Sequence, residues 1–225
     1  MGYQWNFEVV AENIGSLLKS LAVTIELSIL SCCLGTALAV PIAIGLLSDS
    51  YHLRTLSRLY LQVARSIPLL VLLVWFHYLV PASTEIRTSA FVNAVAAFSV
   101  SLSAFLADVL RGSAASIPAG SIEAAEALGM SASQVKRRVI IPETVRRSLP
   151  AAVALYISTF KLTTLASVIG ARELLYEARR INSLDPHPLE LYSFVALLFF
   201  ILLVPAEPIT RFLERHRWFA IYPKK

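Results

Sequence analysis

The chain has 225 residues, of which 56% are hydrophobic and only 16% are charged. A soluble domain of this length needs far less apolar material, so the composition excludes an ordinary globular protein and predicts an integral membrane protein. The formal net charge of +5 does not indicate nucleic-acid binding, because no basic segment interleaved with aromatic residues occurs outside the apolar stretches.

Five segments are apolar enough to cross a bilayer as helices, which needs about 20 residues each. They cover residues 27–47, 61–80, 89–110, 149–169 and 191–209. The first 20 residues lack the features of a cleavable signal peptide, so the first span is expected to stay in the protein. The predicted fold is therefore an all-α integral membrane protein with five transmembrane helices, and residues 1–225 form a single domain without internal repeats.

The distribution of basic residues predicts how the chain is oriented. Five spans place the two termini on opposite sides, and cytoplasmic segments are enriched in Lys and Arg. Thirteen of the 20 Lys and Arg residues lie in segments on the same side as the C-terminus, five lie on the other side, and Arg65 and Lys161 belong to the membrane or its edge. We therefore expect the N-terminus outside, the C-terminus in the cytoplasm and residues 112–148 in a long cytoplasmic loop.

Residues Glu123 to Gly129 in this loop have the pattern of a short helix. Ser121 is the expected N-cap, carboxylates follow near the positive end of the helix, and Gly129 stands where a left-handed residue ends it. Ala124 and Ala125 leave one side nearly flat, so that a partner surface can approach the backbone. Because isolated helices shorter than about 12–15 residues are marginal in water, this helix is expected to be held by a binding partner.

A second helix is expected to begin directly after Gly129. Ser131 followed by Gln134 has the spacing of a capping box, and a run of three basic residues follows before Pro142. The predicted unit is a helix, a glycine corner and another helix.

At these residues the chain resembles the inner-membrane permease subunits of bacterial ABC importers. Their loop pattern is Glu-Ala-Ala, three residues, Gly, nine residues and Ile-x-Leu-Pro, and Glu123, Ala124, Ala125, Gly129 and Pro142 keep its spacing. Val139 and Ile141 replace the usual Ile and Leu with residues of similar character. The resemblance extends from about residue 24 to 214, and the stretches 65–70, 123–142 and 161–170 are similar to the branch that imports polar amino acids, including opines.

The resemblance implies a type I importer fold with a cytoplasmic coupling-helix loop in the bacterial inner membrane. The implied partners are two ATP-binding subunits, a second permease subunit, identical or paralogous, a periplasmic substrate-binding protein, membrane lipid and the amino-acid substrate. It also implies that no cofactor binds to this chain, whereas the partner subunits use ATP and Mg²⁺. The five matching loop residues would contact the ATPase subunit.

Lys161 lies near the middle of the fourth predicted span, where a charged side chain costs about 2.5–3.5 kcal/mol on insertion scales. It must therefore face protein or water. Neighbouring hydroxyls, including Thr163 and Thr164, make this part of the helix polar and suit a pathway wall. The alternatives are a structural ion pair or a side chain that reaches the membrane surface. In the family that the chain resembles, the matching lysine lies by the transport pathway, where its ammonium could hold a substrate carboxylate. An Asp commonly follows that lysine, but here the position is Leu162, which argues against arginine or lysine as the substrate.

Asp108 lies near the cytoplasmic end of the third predicted span, on a stripe with Ala97, Ser101 and Ala104. Many of the similar permeases have Glu at this position, so Asp108 is a second candidate for the substrate pathway. The alternative is a local ion pair with Arg111, three residues on. On the same helix, Ser99, Ser103 and Ala107 form a small-residue row that predicts close helix packing.

Three further patterns give predictions about structure. Pro41 and Pro68 are expected to kink their spans. Leu174, Leu175, Ala178 and Ile181 recur at helical spacing in the extracytoplasmic segment 171–189, which is either a solvated connector or a contact surface for a periplasmic partner. The histidines show no metal-ligand spacing, and no phosphate-binding or nucleophile motif is present in the sequence. No catalytic or metal site is therefore predicted.

The function predicted from these features is that of a permease subunit that forms the translocation pathway for amino acids or their derivatives and couples it to a separate ATPase. The alternative class is an integral membrane enzyme that uses Asp108 or Lys161 on a lipid-borne substrate. It would require a second convergent acid, base or nucleophile, and no recognised set occurs in the sequence. A passive channel would leave the loop motif unexplained.

Overall fold

The computed structural model describes residues 3–84 and 88–205, and these form helices with short connections. Nine α-helices occur in the described residues, joined in two places by π or 3₁₀ segments. In chain order they are α1 Glu8–Leu46, α2 Tyr51–Ser66, α3 Leu69–Thr84, α4 Ala90–Ala115, α5 Ala119–Ala127, α6 Ala132–Val135, α7 Ile141–Leu162, α8 Leu174–Leu184 and α9 Pro188–Leu203.

Helix α1 has 39 residues and begins 19 residues before the first predicted span. Its first half carries polar residues such as Glu8, Glu12 and Lys19, which made the sequence pattern too weak to predict a span there. Pro41 lies inside this helix. At about 1.5 Å per residue, α1 is roughly 58 Å long, well beyond the hydrocarbon core of a bilayer.

The second predicted span, 61–80, is broken in the structure. Helix α2 ends at Ser66 and α3 begins at Leu69, and the two are bent by 99° relative to each other. Pro68 causes the break, because the residue before a proline is driven out of the α region, and Ile67 has extended φ and ψ of −90° and 123°. The expectation of a kink at Pro68 is confirmed, whereas one continuous span over 61–80 is wrong.

Helix α4 corresponds to the third predicted span, and its small residues allow α1 to approach closely. Ser99, Ser103 and Ala107 are all buried, as the small-residue row predicts. The Ser99 hydroxyl donates to the Val95 carbonyl at 2.7 Å and lies 3.4 Å from the carbonyl oxygen of Ser31 on α1. A Cβ added to Gly35 of α1 would lie 2.9 Å from Leu102, so only glycine fits this crossing without a shift.

The fourth predicted span lies within a longer continuous helix over Ala132–Ile169, which has 38 residues. It consists of α6, a π segment at Lys136–Ile140, α7 and a 3₁₀ segment at Thr163–Ile169. The π segment ends two residues before Pro142, whose nitrogen cannot donate the usual helical hydrogen bond. The 3₁₀ segment ends at Gly170, which has a left-handed φ of 81°.

Three buried clusters fix the order of the helices along the molecule. The first joins the start of α1 to α8 and α9, through Val9, Leu17, Leu174, Ala178, Ile181 and Leu191 among others. The second joins the middle of α1 to α3, the first half of α4 and the 3₁₀ segment. The third joins the end of α1 to α2, the second half of α4 and the middle of α7. Helices α1 and α4 therefore run parallel, and α7 runs against them.

This order places α5 and α8 at opposite ends of the molecule, which we call the α5 end and the α8 end. By length and composition, α1, α4 and the helix Ala132–Ile169 are long enough to cross a membrane, and the bent pair α2 and α3 makes a fourth if counted as one span. Helix α9 is apolar but has 16 residues, and the predicted span 191–209 continues beyond the described residues. The count of five crossings therefore stays a prediction.

Candidate coupling corner and polar residues within the helix bundle

Helix α5 differs from its prediction at the first turn. It runs from Ala119 to Ala127, with Pro118 directly before it, so Ser121 is not the N-cap. The Ser121 amide already donates to the Pro118 carbonyl at 3.0 Å. Proline is favoured at the beginning of a helix because its fixed φ suits that position and its missing N–H has no helical acceptor there. The sequence pattern therefore placed this helix start three residues too late.

The C-terminus of α5 has the predicted geometry. Gly129 has a left-handed φ of 79°, the Met130 amide donates to the Ala125 carbonyl at 3.2 Å, and the Gly129 amide donates to the Glu126 carbonyl at 2.9 Å. These two bonds form a Schellman motif, which satisfies the last carbonyls of the helix without help from any other segment. The corner is consequently rigid by its own backbone bonding.

The next helix starts as the capping box predicts. The Gln134 amide donates to the Ser131 hydroxyl at 3.4 Å, and the Ser131 amide donates to the Gln134 side chain at 2.8 Å. We call residues 119–135, from α5 through α6, the coupling corner. Since α6 belongs to the continuous helix Ala132–Ile169, the corner is joined directly to the helix that carries Lys161.

The coupling corner presents side chains to its surroundings rather than to the chain itself. Glu123 and Ala124 are exposed, and Leu128 is 80% exposed, whereas Ala125 is buried. An exposed leucine beside an exposed carboxylate and a small residue makes a surface that another protein could cover. Pro142 is also exposed but lies in the first turn of α7, beyond the corner.

Arg147 connects the two helices that flank the coupling corner and was not singled out from the sequence. Its Nη1 donates to the Ser116 carbonyl at the end of α4 at 3.2 Å, and its Nη2 lies 2.8 Å from Glu143 Oε1. The Arg147 side chain is only 10% exposed. It links the end of α4 to the start of α7, on both sides of the corner. Its acceptor is a backbone carbonyl 31 residues away, which no local pattern reveals.

Lys161 is exposed on α7 and lies at a cavity of about 630 Å³ between α7 and α9. Thr164 lines the same cavity, together with apolar residues that include Phe199 and Phe200. No carboxylate of the described residues forms an ion pair with Lys161. Within this part of the chain, the alternative of a structural ion pair at Lys161 is therefore not supported.

The hydroxyl groups beside Lys161 are bonded within their own helix. Thr164 donates to the Lys161 carbonyl at 3.0 Å, and Thr163 donates to the Phe160 carbonyl at 2.6 Å. Thr163 is fully buried and does not line the Lys161 cavity. Of the two threonines, only Thr164 is placed to meet a ligand beside Lys161 in this arrangement.

Asp108 lies in a different place, at a cavity of about 660 Å³ between α2, α4 and the end of α1. Its Oδ1 accepts from Arg111, with the nearer nitrogen, Nη2, at 2.8 Å, and its Oδ2 accepts from Arg65 Nη1 at 2.8 Å. The local pair with Arg111 is confirmed. The second partner, Arg65, is 43 residues away on α2, and no local pattern predicts that contact. Asp108 and Lys161 do not share a cavity.

A smaller cavity of about 210 Å³ lies between α3, α4 and α7. Its polar residues are Ser101, Ser158 and Thr159, and Leu162 and Phe105 also line it. Phe105 lines both this cavity and the Asp108 cavity. Ser101, Phe105 and Asp108 lie at helical spacing on one face of α4.

The sequence matches the family described as the inner membrane component of binding-protein-dependent transport systems over residues 33–218. This chain belongs to that family. Among curated relatives, the octopine transport system permease OccM of Rhizobium radiobacter is 31% identical over 90% of this chain and 86% of its own length. The L-cystine transport system permease TcyB of Bacillus subtilis is 34% identical over 85% of this chain and 82% of its own.

Solved structures agree with this assignment. An amino acid ABC transporter crystallised with histidines contains a chain that superposes with a TM-score of 0.87, at 26% identity over 95% of this chain and 99% of that one. The MetNI methionine ABC transporter contains a chain with a TM-score of 0.72 and 20% identity, over 91% and 99%, which supports the fold.

These comparisons confirm the predicted family and the all-helical type I importer fold. The protein is a transport permease subunit of the inner membrane, and its relatives are named as permeases rather than enzymes. Nothing in them supports an enzyme that acts on lipid-borne substrates.

Proposed function

We propose that this permease imports amino acids or amino-acid derivatives with energy from ATP hydrolysed by other subunits. Relatives named for octopine, for L-cystine and, in Escherichia coli, for glutamate and aspartate support this substrate class. In the proposed assembly, two permease chains pair, two ATP-binding subunits that use Mg²⁺ dock from the cytoplasm, and a periplasmic binding protein delivers the substrate. The N-terminus lies outside, and the C-terminus lies in the cytoplasm.

The observation that carries the mechanism is the rigid connection between the coupling corner and Lys161. A left-handed glycine and a capping box fix the corner, and one helix of 38 residues continues from it to Ile169. When the ATP-binding subunits close and move α5, this helix moves with it. The connection through Arg147 passes the same motion to α4.

In this proposal Glu123, Ala124 and Gly129 form the contact with the ATP-binding subunit, whereas Ala125 is buried against the chain itself and supports α5 from behind. Pro142 fixes the start of α7. Lys161 and Thr164 bind the substrate carboxylate in the pathway, because an ammonium without a carboxylate partner in the described residues is available to a ligand anion. Asp108 and Thr163 shape the pathway without direct contact in the present arrangement.

The test is transport by the purified complex of permease, ATP-binding subunits and binding protein in liposomes. Uptake of labelled amino acids and opines, measured with ATP and Mg²⁺ inside the vesicles, should exceed uptake without ATP for at least one compound. The same complex lacking the ATP-binding subunits serves as the control. Equal uptake with and without ATP for every compound would contradict the proposal.

A further inference from the structure

The cavity between α2, α4 and the end of α1 lies apart from the proposed substrate site. It shares no lining residue with the cavity that contains Lys161. Three of the described residues that line it are arginines, Arg58, Arg65 and Arg111, and one, Asp108, is a carboxylate. The cavity therefore carries an excess of positive charge for which the proposed import mechanism has no role.

This cavity lies at the depth where two long helices leave the apolar layer of the membrane. In α1 and the turn after it, no charged residue occurs between Glu26 and Asp49. At about 1.5 Å per residue, residues 27–47 span about 31 Å, which matches the roughly 30 Å of the hydrocarbon core of a bilayer. In α4, the first charged side chain is that of Asp108. Because Leu47 and Asp108 both line the cavity, it lies at the depth of lipid headgroups.

Helix α2 lies across the ends of α1 and α4 rather than along them. It meets α1 where a Cβ added to Gly45 would clash with Ser57, and it meets α4 where Arg65 bonds to Asp108. Between these two contacts, Leu61 is buried in the cluster that joins both helices. The axis of α2 is also bent by 99° from that of α3. A helix in this position runs close to the membrane plane, as amphipathic helices at membrane interfaces do.

The two flanks of α2, on either side of its buried face, differ in character. Arg58 and Arg65 are seven residues apart, so they share the flank that faces the cavity. Leu56, Leu59 and Val63 recur at spacings of three and four on the other flank, and they are 65%, 56% and 52% exposed. A basic flank beside the headgroups and an apolar flank towards the acyl chains are typical of a helix that binds in the membrane interface.

The arginines of the cavity keep donors for a ligand although Asp108 accepts from two of them. A guanidinium has five N–H donors, and the bonds to Asp108 use one of those on Arg65 and two of those on Arg111. Arg58 forms no ion pair with the described residues. The Arg65 guanidinium also lies 5.3 Å from the centre of the Phe105 ring, which helps to fix its position. Guanidinium groups that converge in this way suit the acceptor oxygens of a phosphate.

We propose that this cavity binds the phosphate headgroup of an anionic phospholipid of the cytoplasmic leaflet, and that the exposed apolar flank of α2 contacts the acyl chains of the same lipid. The phosphate oxygens accept hydrogen bonds from Arg58, Arg65 and Arg111. Basic pockets between membrane helices on the cytoplasmic side recognise anionic headgroups in this way. The site goes beyond amino-acid import, and it rests only on the proposed cytoplasmic position of the α5 end.

The test counts the lipids that stay bound to the complex of permease and ATP-binding subunits. The complex is reconstituted in nanodiscs with equal amounts of phosphatidylglycerol and phosphatidylcholine, released into a non-ionic detergent and analysed by native mass spectrometry. We expect phosphatidylglycerol to be retained in an excess of at least about tenfold, because each arginine near an anionic headgroup contributes about fivefold to binding. Added glycerol 1-phosphate, which has the phosphate but no acyl chains, should not displace the lipid.

Variants of α2 locate the headgroup and the acyl chains. Arg58→Gln breaks no ion pair of the described residues and should lower the phosphatidylglycerol excess about fivefold, whereas Arg58→Lys keeps the charge and should retain most of it. Arg54→Gln is the control, because Arg54 lies on the same helix outside the cavity and donates to the Ser48 carbonyl; it should change the excess by less than about twofold. Leu56→Asn combined with Leu59→Asn should lower the retention of both lipids and leave their ratio unchanged.

Equal retention of the two lipids, or the same excess in Arg58→Gln as in the wild type, would overturn the proposal. Displacement of the lipid by glycerol 1-phosphate would show a site for a free anion instead. Equal retention, together with hydrogen exchange of α2 that slows when the ATP-binding subunits bind, would assign α2 to a protein contact. A complex that imports amino acids without a lipid excess would lose only this site. A lipid excess in a complex that fails to import would support the site and contradict the import function.

Discussion

The two ends of the permease use their charged residues in opposite ways. At the α5 end, the backbone groups of the coupling corner form hydrogen bonds with one another, and side chains such as Glu123 and Leu128 remain exposed. At the α8 end, Glu173 and Glu190 are fully buried and their oxygens accept hydrogen bonds from the chain itself. The first end leaves side chains free for the proposed contact with the ATP-binding subunit, and the second holds α1, α8 and α9 together.

The carboxylates at the α8 end form hydrogen bonds and ion pairs with other groups of the same chain. Glu190 accepts from the Tyr3 hydroxyl at 2.6 Å and from the Asn6 amide at 2.8 Å, which ties the segment before α1 to the start of α9. Glu177 forms a pair with Arg180 at 2.6 Å, which keeps the pKa of Glu177 below its usual value. We therefore expect changes at the α5 end to affect transport, and changes at the α8 end to affect stability.

The largest effect is expected for Gly129→Val, which should abolish transport while the chain still inserts and folds. A β-branched residue is strained at a φ of 79°, by about 1–2 kcal/mol or more, although nothing lies within 4 Å to obstruct it. The corner would relax into a different geometry and lose its fit to the ATP-binding subunit. Pull-down of that subunit and substrate-driven ATPase activity measure the loss.

Matched variants separate strain from added bulk and one end from the other. Gly112→Val lies within α4, outside the coupling corner, with equally open surroundings and an ordinary φ, so transport should persist. Gly170→Val introduces the same strain before α8, where φ is 81°, and should lower thermal stability instead. Normal association and ATPase activity in Gly129→Val would show that the left-handed corner is not needed for coupling.

The variant Lys161→Met tests whether Lys161 binds the substrate or forms a structural ion pair. The change keeps the apolar stem and removes the charge, so it should cost little packing and ease membrane insertion. If Lys161 binds substrate, the complex assembles with basal ATPase activity and normal thermal stability, but uptake falls at least about tenfold, as for the loss of a charge-assisted hydrogen bond.

A structural ion pair of Lys161 predicts a loss of stability instead of a loss of uptake. If Lys161 has a buried anionic partner in the assembled complex, removal of the lysine leaves that charge unpaired and destabilises the fold by roughly 3–5 kcal/mol. Thermal unfolding and uptake are measured on one preparation, with Thr164→Val as a companion that removes only the neighbouring hydroxyl. A large stability loss, or uptake as in the wild type, would exclude substrate binding by Lys161.

Glu123→Lys should uncouple ATP hydrolysis from transport several-fold without destabilising the permease, because exposed substitutions usually change stability by less than about 0.5 kcal/mol. The exposed carboxylate is expected to meet a basic surface of the ATP-binding subunit. Charge reversal of the facing residue in that subunit should restore part of the coupling, and Glu12→Lys, which is exposed near the α8 end, should have no effect. Lack of rescue by every basic residue of that surface would argue against direct pairing.

Local patterns predicted the parts of this protein that depend on neighbouring residues, and long-range packing decided the others. The Gly129 corner, the Ser131 capping box and the pair between Asp108 and Arg111 all lie within a few residues and could be read from the sequence. The start of α5 was misplaced because Ser121 and Pro118 both suit a helix start, and the sequence does not rank them. The contact of Arg65 with Asp108 depends on how α2 lies across α4 after the 99° bend.

The smallest effect is expected for the pH dependence of the α8 end. Burial raises the pKa of Glu173 from 4.5 to about 7, against hydrogen bonds from the Leu175 and Tyr176 amides that favour the carboxylate. In the unfolded chain the group ionises near 4.5, so its contribution to stability is complete below that pH and is lost as pH rises towards about 7. Hydrogen-exchange protection of α8 should therefore decrease between about pH 5 and 7. The size of the decrease is set by the pKa difference between the folded and unfolded chain, because each pKa unit corresponds to about 1.4 kcal/mol.

Two variants at the α8 end test whether a single carboxyl group, that of Glu173, causes the slope of hydrogen-exchange protection against pH. Glu173→Gln should remove the slope while costing about 0.5–2 kcal/mol through the weakened cap of α8. Glu177→Gln is the control, because the pKa of Glu177 is lowered rather than raised and its loss should leave the slope in place. A slope that survives in Glu173→Gln would assign the pH dependence to another group, and the buried carboxylate would then be ionised throughout this range.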